Sequence, residues 1–203
     1  MQAVFFEKHG GPDVLKYGEF KDPVVGPNEV LVGVKACALN HLDIWTRLGM
    51  PGVTIPLPHI LGCDVAGEIE EIGKNVGAKS PRPFKVGQHV IVSPGFLPKN
   101  DPLAGTNWDS LSDQFKILGL QVDGGYAEFV KVQAENIIPV SNRLSFEEWA
   151  ACSVFRRGAL SRRNSLFWKT GSDPKKNRWC WSAKASRLTR VAFRSNRPMT
   201  WIK

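Results

Sequence analysis

The stretch Glu29–Asp43, with the sequence EVLVGVKACALNHLD, passes from the pattern of a β-strand to the start of a helix. Valine recurs at every second position, at Val30, Val32 and Val34. Because successive side chains of a strand point to opposite faces, this alternation predicts a half-buried strand with the three valines in the core. The stretch therefore predicts a sheet that buries one of its faces.

A short helix is predicted directly after this strand, over His41–Leu48. Asn40 occupies the N-cap position, where a side-chain oxygen can accept a backbone N–H, and Gly49 ends the helix. Asp43 precedes Arg47 by four residues, which is the spacing of an ion pair on one helix face. In this interpretation Asn40 and Asp43 have structural roles only.

Further short apolar runs, separated by many of the 19 glycines and 14 prolines, predict a turn-rich β fold. The runs with the pattern of strands are Met1–Glu7, Leu15–Phe20, Val65–Ile72, Gln88–Ser93 and Tyr126–Val132, and Val90 and Val130 join the predicted core. One longer helix is predicted within Ser141–Phe155, where Ser145 and Glu148 form a capping box. This succession indicates a mainly β domain of the barrel or sandwich type.

The chain changes character near Phe155. Residues 156–203 contain fourteen Lys or Arg against one acid, Asp173, and four of the seven tryptophans. The net charge of +8 describes neither part, because residues 1–155 contain more acids than cations. We predict a globular domain over residues 1–155 and a basic, tryptophan-rich tail over residues 156–203.

The composition also bears on the compartment. No apolar run approaches the ~20 residues of a membrane span, and the N-terminus lacks the pattern of a secretory signal. The four cysteines lie far apart without a CxxC pair, which indicates reduced thiols. We expect a cytoplasmic protein without membrane contact. His9, His59 and His89 lack helical metal-binding spacing and are expected to be surface or packing residues.

Five motifs follow one another along residues 1–155. They are Glu29–Asp43, Ile60–Gly67 (ILGCDVAG), Glu68–Gly73 (EIEEIG), Val86–Val90 (VGQHV) and Gly124–Glu128 (GGYAE). In this order they resemble the catalytic domain of medium-chain dehydrogenases/reductases, which include zinc alcohol dehydrogenases and zinc-independent quinone oxidoreductases. The resemblance implies a GroES-like, partly open β-barrel with a few short helices. It also implies hydride transfer with NAD(P)H, which a following Rossmann domain normally binds.

By the same resemblance, Asn40, His41, Asp43 and Asp64 are the candidates for a catalytic cluster. In zinc-free relatives a corresponding Asn and neighbouring polar groups face the nicotinamide and the substrate. The Asn40 amide can hydrogen-bond a carbonyl oxygen, and His41 can relay a proton near neutral pH. The implied substrate is a small alcohol, carbonyl compound or quinone.

Zinc is not expected, because the residues at the metal positions of the family have changed. Asn40 stands where zinc-dependent relatives have a cysteine ligand, and Cys63 and Asp64 replace a His-Glu pair. Cys63 can bind zinc as a thiolate but lacks sufficient partners, and Cys37 is expected to be a buried structural thiol. Residues 93–115 replace the Cys₄ zinc lobe of the family without a cysteine. We expect a mobile surface loop there.

The Rossmann domain of the family is expected to be absent. No Gly-x-Gly-x-x-Gly fingerprint follows Phe155, and the tail contains only Gly158 and Gly171. We interpret the tail as aberrant relative to the family, through a shifted reading frame or an alternative exon followed by early termination. No cofactor-binding residue is assigned, and we expect the chain alone to be inactive or weakly active.

Two functions remain open from the sequence. The first is an NAD(P)-dependent oxidoreductase, of which this chain supplies the substrate-side domain. The second is a non-enzymatic GroES-like module that binds a partner, or a truncated product without a selected function. Its basic tail, with Trp168 and Trp179 among the cations, is expected to bind polyanions such as nucleic acid without specificity. The sequence leaves the oligomeric state unknown.

Overall fold

The computed structural model describes residues 1–77, 83–98, 100–106 and 108–156. The predictions for the basic tail therefore fall outside the described residues, apart from Arg156. Within the described part, none of the helices is long and apolar enough to cross a membrane.

The described residues form ten strands and two α-helices. The strands are β1 Gln2–Phe6, β2 Lys16–Glu19, β3 Glu29–Ala38, β4 His59–Ile60, β5 Asp64–Ile72, β6 His89–Val92, β7 Gly95–Phe96, β8 Lys116–Ile117, β9 Phe129–Gln133 and β10 Ile137–Pro139. The helices are α1 His41–Leu48 and α2 Phe146–Arg156, and short 3-10 turns lie at Pro12–Val14, Asp109–Leu111 and Ala134–Asn136. The mainly β composition confirms the predicted fold class.

The strands pair in an antiparallel arrangement that places β3 inside the largest sheet. This sheet has the order β10-β6-β5-β3-β9, a second sheet has the order β2-β1-β4, and β7 pairs with β8. The register of β3 with β5 shifts at two irregularities, and the last residue of β3, Ala38, pairs with the first residue of β5, Asp64. The route of the chain therefore brings the start of α1 close to the start of β5.

The core is built from the alternating valines of the sequence. Val30, Val32 and Val90 are fully buried, and Val34 and Val130 are at most 5% exposed. Burying such side chains removes apolar surface from water, which is the main driving force of folding. The predicted core positions are thus confirmed.

A second, smaller core lies between the large sheet and α2. It contains Ala36, Ala66, Ile91 and Ala150. The helix begins with the predicted capping box, in which Glu148 N–H donates to Ser145 Oγ at 3.2 Å and Ser145 N–H donates to Glu148 Oε2 at 2.9 Å. The small alanine side chains let α2 approach the sheet closely.

The segment of residues 93–115, predicted to be a mobile loop, contains local order around one buried carboxylate. Asp101 is 7% exposed and accepts hydrogen bonds from Leu103 N–H at 2.8 Å and Ser112 Oγ at 2.6 Å. These bonds connect its turn to the 3-10 turn at Asp109–Leu111. Hydrogen bonds therefore fix the described part of this segment locally, while its mobility stays a prediction.

Candidate functional site

Asn40 caps α1, and its side-chain oxygen accepts the capping hydrogen bond. Leu42 N–H donates to Asn40 Oδ1 at 3.1 Å, and Asn40 N–H donates to Asp43 Oδ2 at 2.7 Å. This reciprocal pair satisfies backbone groups that have no partner inside the helix. The predicted capping role of Asn40 is confirmed, and the cap fixes which end of its amide remains available.

Asp43 is the centre of a hydrogen-bond network. Its Oδ2 accepts the Tyr126 hydroxyl at 2.8 Å in addition to Asn40 N–H, and its Oδ1 accepts Gly62 N–H at 3.1 Å. The residue is only 5% exposed. Asp43 therefore joins three segments, which are the start of α1, the turn before β5 and the turn before β9.

Asp64 lies at the first position of β5 and is fully buried. Its Oδ2 accepts the Asn40 amide Nδ2 at 2.9 Å and the Cys63 thiol at 3.3 Å. Of the predicted site residues, Asp43 thus contacts the backbone N–H of Asn40, and Asp64 contacts its side-chain amide. The structure brings these three together, although their part in any reaction remains a prediction.

His41, the fourth predicted residue, lies on the exposed face of α1. Its ring stacks on Trp45 with 5.9 Å between the ring centroids and 10° between the planes. This face is otherwise apolar, since Ile44 is 43%, Trp45 54% and Leu48 55% exposed. The buried face carries the polar residues Asp43, Thr46 and Arg47 instead. Helix α1 thus turns its apolar side outwards.

The predicted pairing of Asp43 with Arg47 is wrong. Arg47 donates through Nη1 to the backbone carbonyl of Gly10, whereas Asp43 is occupied by Tyr126 and Gly62. Both side chains are buried, and each uses donors or acceptors from outside the helix. Tertiary contacts therefore replace the local ion pair.

Burial shapes the protonation of this network. It raises the pKa of the Asp43 carboxyl above its ordinary value, and the Asp64 carboxylate adds to this effect. Hydrogen bonds from Asn40, Tyr126 and Gly62 act in the opposite direction because they favour the charged form. Burial also raises the pKa of the Tyr126 hydroxyl well above its ordinary value. At neutral pH Tyr126 is therefore a hydrogen-bond donor to Asp43.

The comparisons with known proteins place this arrangement in a family. Residues 26–142 match the alcohol dehydrogenase GroES-like domain. The chain belongs to this family. The match covers more than half of the chain and confirms the resemblance drawn from the motifs.

The relatives of this GroES-like domain include several kinds of oxidoreductase. A trans-enoyl reductase from Aspergillus terreus is 35% identical over 73% of this chain and 42% of its own length. A quinone oxidoreductase from Lama guanicoe is 29% identical over 76% of this chain and 38% of its own length. The crystal structure of an NAD-dependent alcohol dehydrogenase is 40% identical, with a TM-score of 0.67, over 74% of this chain and 43% of its own. The chain thus spans about two fifths of the relatives that it matches.

The described residues around Asn40 do not fit a zinc ion. Among the described residues, no three His, Cys, Asp or Glu side chains are grouped so that they could hold a metal. Asn40 presents an N–H to Asp64, and an N–H does not coordinate a cation. Burial raises the pKa of the nearby Cys37 thiol well above its ordinary value, which disfavours the thiolate that zinc requires.

A nucleotide-binding turn is likewise not assigned. The sequence after Phe155 lacks the glycine pattern that receives a pyrophosphate, and its structure lies outside the described residues. No cofactor-binding residue is therefore identified among the described residues.

Sequence reasoning missed Tyr126 and Gly62 as parts of the site. Both lie in motifs that support the family resemblance, GGYAE and ILGCDVAG. The polar end of an aromatic residue beside two glycines was the available signal, because a buried tyrosine hydroxyl requires a partner.

Proposed function

We propose that this chain is the substrate-side domain of an NAD(P)-dependent oxidoreductase that acts on a small alcohol, carbonyl compound or quinone. The observation that carries the proposal is the amide of Asn40 at the partly exposed start of α1. The alcohol dehydrogenase, quinone oxidoreductase and enoyl reductase relatives support the reaction class. A nicotinamide cofactor, when bound, supplies or accepts the hydride in such a reaction.

The hydrogen bonds of Asn40 determine what its side chain offers to a ligand. Its oxygen accepts Leu42 N–H, and one amide hydrogen goes to Asp64. Within the described residues, the second amide hydrogen has no protein acceptor. Asn40 therefore offers a donor rather than an acceptor, which suits the carbonyl oxygen of a substrate and the negative charge that develops there during reduction.

His41 has a more distant role in this proposal. Its exposed ring lies one residue from Asn40 and can exchange protons with solvent, but it is stacked on Trp45. We infer that His41 shapes the entrance to the site and relays a proton only after a substrate has bound. Asp43 and Asp64 hold Asn40 in place.

The test measures carbonyl binding by the 203-residue chain, with cyclohexanone as the probe and amide NMR spectra as the readout. We expect the Asn40 side-chain signals to shift on titration. Asn40→Ser keeps a good N-cap but removes the amide donor, and should weaken probe binding by about fivefold or more, the loss of one hydrogen bond. Asn28→Ser, at an amide paired with Asn75 elsewhere, is the control. Equal binding by all three proteins would refute the role of Asn40.

A second measurement concerns the cofactor. We expect NADPH to bind the chain weakly, with an affinity that falls steeply as salt is raised, because charge attraction to the phosphates by the basic tail is screened. Hydride transfer by the chain alone is expected to be slow or undetectable. A salt-insensitive, micromolar NADPH site would show that the cofactor half is present after all.

The apolar outer face of α1 favours a second candidate function. Ile44, Trp45 and Leu48 form an exposed apolar surface, which commonly marks a site of protein association. In this case the chain is a GroES-like module that binds a protein partner through α1. Trp45→Ser would then abolish association, measured by sedimentation with and without a candidate partner, whereas Asn40→Ser would leave it unchanged.

A further inference from the structure

The hydroxyl of Tyr126 reaches the start of α1 from a distant part of the chain. It donates to Asp43 Oδ2 at 2.8 Å, and the two residues are 83 positions apart in sequence. Tyr126 is 6% exposed, so water does not replace this contact easily. A hydrogen bond to a carboxylate is stronger than one between neutral groups. This hydrogen bond therefore strongly connects the turn that contains Tyr126 to the start of α1.

The backbone places Tyr126 with little freedom. Gly124 N–H donates to the Ile60 carbonyl, Gly125 N–H to that of Gly62 and Tyr126 N–H to that of Leu61, at 2.8 to 2.9 Å. A Cβ atom at Gly125 would lie 2.2 Å from Cγ2 of Val65. The two glycines thus let the turn lie flat against the segment before β5, and the phenol extends from there to Asp43.

Asp43 connects the position of the Tyr126 hydroxyl to that of Asn40. The oxygen that receives the Tyr126 hydroxyl, Oδ2, is also the oxygen that receives Asn40 N–H at 2.7 Å. The other oxygen is held by Gly62 N–H at 3.1 Å. The carboxylate therefore cannot rotate without breaking a bond at one end. The backbone of Asn40, and with it the direction of its amide, depends on where Asp43 is held.

We propose that Tyr126 is a positioning residue for the Asn40 amide and acts through the Asp43 carboxylate. This inference rests on the proposed function only for the purpose that it assigns to Asn40, namely donation to a substrate oxygen. The positioning itself is a property of the ligand-free chain. This role of Tyr126 explains why the GGYAE motif, which contains none of the predicted site residues, lies against the site around Asn40.

The test removes the hydroxyl alone, in Tyr126→Phe, and follows the Asn40 side-chain amide by NMR in the full 203-residue chain without ligand. We expect the Asn40 signals to shift while those of Asn75 and Asn136 stay in place. Tyr17→Phe is a matched control, because Tyr17 is the only other tyrosine and is 63% exposed on β2. It should move none of these signals.

A pair of double variants separates positioning from a general loss of stability. In an Asp43→Ala background the Tyr126→Phe change should produce no further shift of the Asn40 amide, because the carboxylate that connects the two residues is gone. A purely structural role would lower the unfolding temperature of Tyr126→Phe without a selective shift at Asn40. That result, or equal shifts in both backgrounds, would overturn the inference.

A variant that fails to fold does not leave the question open. Wild-type chain and Asp43→Ala can then be compared alone, and an unchanged Asn40 amide in a folded Asp43→Ala would overturn the inference. If Asp43→Ala also fails to fold, the Asn40 amide is compared between the wild-type chain and the same chain made with 3-fluorotyrosine, whose hydroxyl is a stronger hydrogen-bond donor. A selective shift at Asn40 supports the inference, and an unchanged Asn40 amide overturns it. A failure of carbonyl binding leaves these readouts unaffected, so the two proposals fail separately.

Discussion

The ring of Tyr126 lies directly against Gly62 and leaves no room there for a side chain. A Cβ atom at Gly62 would lie 2.6 Å from Cδ1 of Tyr126 and 2.8 Å from the sulfur of Cys37. The backbone φ of Gly62 is 100°, a conformation that residues other than glycine rarely adopt. Gly62, the third residue of the ILGCDVAG motif, is therefore required for two reasons. Its backbone conformation favours glycine, and Tyr126 and Cys37 leave no room for a side chain.

Gly62→Ala should lower the free energy of unfolding by at least about 2 kcal/mol, because backbone strain and overpacking add. Urea unfolding measured by circular dichroism is the test. Gly52→Ala is the control, since Gly52 has a φ of 78° but open space around it, and it should cost only the backbone strain of about 1–2 kcal/mol. An equal loss in the two variants would contradict the steric part of this account.

Val90→Ala should lower the free energy of unfolding by about 1–3 kcal/mol, through lost apolar burial and the cavity that remains. Val90 is fully buried in β6. The same change at Val24, which is 74% exposed, should leave the stability nearly unchanged. If both variants unfold at the same urea concentration, β6 does not belong to the core.

Much of the fold was predictable because its signals are local. The alternation at Val30, Val32 and Val34 is a property of one strand, and the capping box of Ser145 and Glu148 belongs to one helix end. Each signal can be read within a few residues. The start of the last long strand was predicted too early: the alternating pattern begins at Tyr126, whereas β9 begins at Phe129. The Tyr126 N–H donates to the Leu61 carbonyl in the segment before β5, whereas β9 pairs with β3.

The site was predictable only in part because its bonds cross the chain. Asn40 and Asp64 are 24 positions apart and Asp43 and Tyr126 are 83 apart, so no local pattern joins them. Their proximity was suggested by the family resemblance alone. The local rule that did apply, an ion pair between Asp43 and Arg47, gave the wrong partner. The fold instead places Gly62 and Tyr126 against the Asp43 carboxylate and the Gly10 carbonyl against Arg47.

His59 should make the stability of the chain depend on pH. The residue is 1% exposed and packs edge-on against Phe6, and burial lowers its pKa below 6.5, with Asp123 opposing this effect and His9 adding to it. The unfolded chain therefore binds a proton at a higher pH than the folded chain does. As the pH falls below about 6.5, the unfolded state gains protons first, and the stability contributed by neutral His59 is lost.

Thermal unfolding between pH 7.5 and pH 5.5 measures this effect. We expect the unfolding temperature to fall in this window, and His59→Gln to reduce the fall because it removes the group that titrates. His89→Gln is the control, since His89 is only half-buried and lies 3.4 Å from Glu68, and the fall should persist in this variant. A fall that is the same in the wild type and in His59→Gln would assign the pH dependence to other groups.

The last prediction concerns metal content. Around Asn40 the chain offers Cys63 and Asp64, and the thiol is already hydrogen-bonded to the carboxylate at 3.3 Å. A catalytic zinc site requires three protein ligands, and the Asn40 amide directs its N–H into this place. We therefore expect the full chain, purified without added metal, to contain far less than one zinc per molecule by elemental analysis. Its unfolding temperature should not change when a chelator is added. One zinc per chain that disappears in Cys63→Ser, but remains in Cys152→Ser as the matched thiol control, would show that the site recruits a ligand from outside the described residues.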